Sequence, residues 1–141
     1  MAISSKKVFL SSGVIYAFID RAHPQYPQAA AYFRYFAQEK YYVFTGYIQI
    51  IDAYKDIYER ISPSLAKDFL KAIMLGSVNI IYPTESDIKA ALKTLINYKT
   101  TELTLRESQM AVLANRYSIP QICTIEYLHP LFGLNTFYLP I

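Results

Sequence analysis

Four times along this chain a short run of β-branched or aromatic residues gives way to a segment whose apolar residues recur at helical spacing. That alternation limits the possible folds more than any other feature. The runs are Lys7–Leu10 (KVFL), Tyr41–Phe44 (YYVF), Val78–Tyr82 (VNIIY) and Pro120–Ile125 (PQICTI). Each is short and largely apolar, and so reads as a strand buried on both faces. Helices are expected over Val14–Asp20, residues 26–39 and residues 47–61, the last with Tyr47, Ile50, Ile51, Tyr54, Tyr58 and Ile61 on one stripe. Ser62-Pro63 supplies an N-cap and a first-turn proline for a helix that runs to about Leu75 and is stopped by Gly76. Thr84 and Asp87 have the spacing of a capping box at the head of a helix running to about Tyr98, and a further helix is expected from Leu105 to Tyr117. The tail, residues 128–141, shows no clear period. Strands alternating with helices imply a single α/β domain over residues 1–141. The expected architecture is a three-layer α/β/α sandwich around a parallel sheet of about four to five strands.

Composition removes several classes of function. With 53% apolar and 18% charged residues the chain is no disordered segment. A lone cysteine, Cys123, can form neither an internal disulfide nor a zinc cage, and His23 and His129 are the only histidines. The net charge of +3 tolerates a polyanion without predicting one. The longest apolar run, Gly13–Ile19, falls well short of the roughly 18 residues that span a bilayer. Lys6 and Lys7 ahead of Val8–Ile19 suggest a signal peptide, but Ser11, Ser12 and Gly13 interrupt the stretch. Arg21 and His23 stand where a small-residue cleavage site belongs. A cytosolic protein is expected.

In a parallel sheet, ligands bind beyond the carboxyl ends of the strands. Those ends are Ser11-Ser12, Thr45-Gly46, Tyr82-Pro83 and Thr124–Glu126. Three carboxylates belong to this neighbourhood. Asp52 follows Thr45 by about two helical turns, Glu107 opens a late helix, and Glu126 follows the fourth strand. Each has a plainer reading beside the functional one. Asp52 sits at the edge of an apolar stripe and can face solvent, Glu107 completes the capping-box pattern begun by Thr104, and Glu126 can be an ordinary loop acid. Asp56, Glu59, Asp68 and Glu85 read as solvated helix faces. Converging at one sheet edge, the three acids would form an oxygen-rich pocket suited to Mg²⁺ or Mn²⁺.

The ordering of these segments resembles the PIN domain family, and within it the toxin-like ribonucleases of toxin–antitoxin pairs. The stretches that carry the resemblance are KVFLSSGVIYAFIDRAHPQYPQAAAYF, VFTGYIQIIDAY and TLRESQMAVLANRYSIPQICTIEYL. Position by position, Asp52 matches the helix acid, Glu107 the late-helix acid and Glu126 the last-strand acid. Ser12 matches the small hydroxyl residue and Thr45 the residue after the second strand. The first acid of the family pattern is replaced by Ser11, and Gly13 stands where asparagine is common. The resemblance implies a divalent-metal-dependent endoribonuclease. In it Asp52, Glu107 and Glu126 hold Mg²⁺ or Mn²⁺, and Ser11 or Ser12 orients water or phosphate. It also implies RNA as substrate, an antitoxin protein as partner and a homodimer. A neutral serine is a weak ligand for a hard cation, so activity is expected to be weak or lost. The alternative is a non-catalytic RNA- or protein-binding module of the same fold. A flavodoxin-like or receiver-type protein is disfavoured by the missing acid after the first strand and the lack of a Gly-rich phosphate loop. Among scattered basic residues, Arg106 is the one best placed to meet an RNA backbone near the acids. The aromatics of the first two helices, Tyr16, Tyr32, Phe33, Tyr35 and Phe36, read as core or interface packing.

Overall fold

The computed structural model describes residues 6–99, 103–125 and 135–137. A five-stranded parallel sheet is formed by β1 (Lys7–Leu10), β2 (Tyr42–Gly46), β3 (Asn79–Ile81), β4 (Gln121–Cys123) and β5 (Asn135–Thr136), in the order β3-β2-β1-β4-β5. Among the described residues six helices surround it: α1 (Ser12–Ile19), α2 (Tyr26–Gln38), α3 (Tyr47–Arg60), α4 (Pro63–Met74), α5 (Glu85–Asn97) and α6 (Leu105–Arg116). The pleat of β1 distributes its side chains between two cores. Val8 and Leu10 join residues of α1 to α4 on one face, and Phe9 joins Met110, Leu113 and Ala114 of α6 on the other. The three-layer α/β/α sandwich expected from the alternation is thus observed.

Strand order reverses at the β1–β4 junction, and in open parallel sheets the carboxyl ends at such a switch point are where a ligand crevice is expected. Two local devices fix that edge. The buried Thr45 hydroxyl donates to the Leu10 carbonyl at 2.9 Å, tying the end of β2 to the end of β1. Gly46 then lets α3 start at once. A Cβ there would collide with the Gln49 side chain and press on Leu113 and Phe9 at 3.3 Å.

Boundaries differ from expectation where tertiary pairing takes over. β2 extends through Thr45 and Gly46 because these pair with Ile80 and Ile81. β5 is a two-residue strand in the tail, where the sequence carries no strand period. On α3 the buried residues are Gln49, Ile50, Ala53 and Ile57. Tyr47, Ile51, Tyr58 and Ile61, assigned above to one apolar stripe with Ile50, are exposed. The stripe is therefore split between a core face and an outer face.

The α5–α6 layer is fastened by Asp87. It caps α5 with Thr84 (Thr84 N–H to Oδ2, 2.9 Å), and its carboxylate takes both arms of the Arg116 guanidinium at 2.8 Å. Burial pushes this carboxyl up, but the Thr84 amide and the Arg116 guanidinium outweigh it and hold the group below the usual carboxylate range. A helix cap contributes about 1 kcal/mol and a hydrogen bond to a charged group about 1.5–3 kcal/mol, so Asp87→Ala is expected to destabilise the chain by about 3 kcal/mol at pH 7. Because the folded value is depressed, this contribution is present above the unfolded value of about 3.9 and is lost as pH falls through the folded one. Urea titrations at pH 7 and pH 3 check both points, since the gap between wild type and variant should shrink at the lower pH.

Candidate functional site

At the crevice, Ser11 follows β1 directly and serves as the N-cap of α1. Its hydroxyl accepts from Val14 N–H at 3.4 Å, while its own N–H donates to the Cys123 carbonyl of β4 at 3.0 Å. Ser11 is buried, and Ser12 begins the helix beside it, half-buried. Asp52 lies on α3, two turns beyond Thr45. Its carboxylate is gripped bidentately by Arg106 of α6, with Nε to Oδ2 at 2.6 Å and Nη2 to Oδ1 at 3.1 Å. The hydrogen bond and charge of Asp52 hold the Arg106 guanidinium above its ordinary range. Glu107, next to Arg106, forms the capping box: Oε1 accepts from both the backbone N–H and the hydroxyl of Thr104 at 3.0 Å. Glu126 lies outside the described residues, so the meeting of three carboxylates expected from the sequence extends beyond them.

Among the described residues, no three His, Cys, Asp or Glu side chains come together as a metal-binding group. The groups that are described do not, as arranged, make a divalent-cation site. Both Asp52 oxygens face a guanidinium, one Glu107 oxygen caps a helix, and the Ser11 hydroxyl is an uncharged N-cap. A hard cation needs about six oxygen ligands, several of them charged. The positive charge beside Asp52 comes instead from the chain itself. Sequence reading placed Arg106 near the acids as a residue for RNA; the structure shows it committed to Asp52. Only a contact between α3 and α6 reveals that pairing. Cys123, buried in β4 with its thiol pushed up to about 12, is inert.

No family model matches the sequence, and no curated protein does. A solved structure does match: VapC20 of Mycobacterium tuberculosis, described as a sarcin-ricin loop cleaving toxin. It superposes with a TM-score of 0.69 over 82% of this chain and 86% of that one, at 14% identity. The fold is PIN-like. At that identity the likeness concerns architecture. Within that fold Ser11 follows β1, Asp52 lies on α3 and Glu107 stands in the first turn of α6. The ion pair closing over Asp52 is a property of this chain's own side chains. Among the described residues, no helix is long and apolar enough to cross a membrane.

Proposed function

We propose that this chain is a non-catalytic, protein-binding module built on the frame of RNA-cleaving toxins. The observation that carries the reading is the bidentate Arg106–Asp52 pair, in a site where Ser11 already removes one negative charge. A guanidinium neutralises Asp52 without activating water or polarising a phosphate, the two services a bound Mg²⁺ or Mn²⁺ supplies. In this reading the chain works in the cytosol and acts through a protein partner that replaces an antitoxin in role.

The second reading, a divalent-metal-dependent endoribonuclease, is favoured by the shared fold with VapC20, itself described as cleaving an RNA loop. It requires Arg106 to leave Asp52, and Asp52, Glu107 and Glu126 to bind Mg²⁺ or Mn²⁺ with RNA as substrate. The exposure of Arg106 (68% of its side chain) makes that release cheap, since exposed ion pairs contribute only about 0–1 kcal/mol. One experiment separates the two. Purified wild-type chain incubated with RNA and Mn²⁺ is expected to leave the RNA intact. Cleavage that disappears in Asp52→Asn would establish the nuclease instead.

A further inference from the structure

The helical layer formed by α1 to α4 does not close completely over the sheet. α2 packs on α1 and α4 packs on α3, and between α2 and α4 an open cavity of about 310 Å³ remains. It reaches Leu10 of β1 and Phe36 of α2, which are 0% and 2% exposed, so it enters the core instead of resting on the surface. Packed interiors keep few voids larger than a water molecule. An apolar void of about 150 Å³ takes up benzene, so a cavity of roughly twice that volume suits two or three linked rings. Its mouth is held open by small residues. Ala37 of α2 and Ala72 of α4 both line the cavity and are both exposed, and a larger side chain at either place would occupy part of it.

The lining selects the chemistry of an occupant. Among the described residues that form it no side chain is charged, and the polar side-chain atoms are the hydroxyls of Tyr41 and Ser77 alone. A charged ligand would lose its hydration there without gaining a partner, and an inserted peptide would leave backbone N–H and C=O groups unpaired. Phe18, Phe33, Phe36, Phe69 and Tyr41 contribute rings to the wall, with Phe18 and Phe33 at 4.3 Å and tilted by 33°. Ring faces and edges of this kind pack well on a planar aromatic ligand. Ser11, Asp52, Glu107 and Arg106 take no part in the lining. We infer that the α2–α4 cavity binds an uncharged aromatic small molecule of two or three rings. The inference is independent of the protein-binding reading, because it concerns a different place in the fold.

The test uses two dyes that share one ring system, N-phenyl-1-naphthylamine and its sulfonated twin 8-anilino-1-naphthalenesulfonate. Binding to the full chain is followed by the rise of dye fluorescence in apolar surroundings. The uncharged dye is expected to bind about tenfold or more tightly, because the cavity offers the sulfonate no partner. On an ordinary surface the net charge of +3 would favour the sulfonate, so the order of the two separates a cavity from general stickiness. Ala72→Phe is expected to weaken the uncharged dye about tenfold or more, the affinity carried by roughly 60 Å² of apolar burial. Ala37→Leu should act in the same direction, and both variants, altered at exposed helix positions, should melt no lower than wild type. Two variants are used so that a failure of one to fold leaves the other as the test. No binding of the uncharged dye, equal or tighter binding of the sulfonate, or indifference of the dye to the cavity-filling substitutions overturns the inference. So does a dimer of the chain alone that Ala72→Phe dissociates, because a second copy would then fill the cavity.

Discussion

The double variant Ser11→Asp, Arg106→Gln is expected to bind Mn²⁺ on the order of 100-fold more tightly than wild type, as read by isothermal titration calorimetry. Two changes act together. Aspartate at position 11 restores a carboxylate at the end of β1, and since aspartate is as good an N-cap as serine, α1 should be undisturbed. Glutamine at position 106 removes the guanidinium from Asp52, exposing both of its oxygens. Coulomb attraction between unit charges 4 Å apart is about 4 kcal/mol at an effective dielectric constant near 20. The about 2.7 kcal/mol behind a 100-fold gain therefore leaves room for the cost of dehydrating the cation. Arg106→Gln alone should gain far less, because Ser11 remains neutral. If the double variant binds no better than wild type, the acids of this crevice do not converge on a common point.

Phe36→Ala is expected to be the most destabilising single substitution in the aromatic core. Phe36 is 2% exposed and lies 4.9 Å from the Phe137 ring, 5.2 Å from Tyr41 and 6.2 Å from Tyr35. These rings meet at inclinations of 48–68°, the tilted and edge-on arrangements that quadrupoles favour. Emptying the centre of the nest removes the transfer energy of a phenyl ring and leaves a cavity that rigid neighbours cannot fill, about 3–5 kcal/mol in all. For a chain of this size that corresponds to a fall of roughly 10–15 °C in Tm by calorimetry. Phe36→Leu should recover about half of it, since most of the volume returns. A fall of only a degree or two in Phe36→Ala would mean that the nest is not part of the cooperative core. The same geometry explains the aromatic richness of α2: Tyr32 and Phe36 are buried against Phe137 beside β5, so they are core residues.

Much of the architecture was legible before any coordinates. β1 matches its expected span, α2, α3, α4 and α6 fall within a residue of theirs, and both capping boxes are formed. These are local signals. A capping box needs residues three apart, and a buried parallel strand needs only a run of apolar side chains. β5 escaped because two residues carry no period, and its pairing with β4 is decided across the sheet. The α3 stripe was misassigned in part because apolar residues outside the core followed the same spacing as those inside it. Periodicity reports that a face is apolar, without saying what covers it.

The site divides along the same line. Chain order and the rules of parallel sheets dictate where strands end, and from them Ser11, Asp52 and Glu107 are expected near one edge of the sheet. The partner of Asp52 could not be read that way. Arg106 is 54 residues distant along the chain, and only the folding of α3 and α6 onto opposite faces of one sheet brings the guanidinium to 2.6 Å from the carboxylate. The sequence determined the alternation, the caps and the neutral residue after β1, because each is carried by neighbours along the chain. The tertiary structure decided which charge Asp52 faces and which apolar stripe remains uncovered, because both depend on side chains that meet only once the layers have closed.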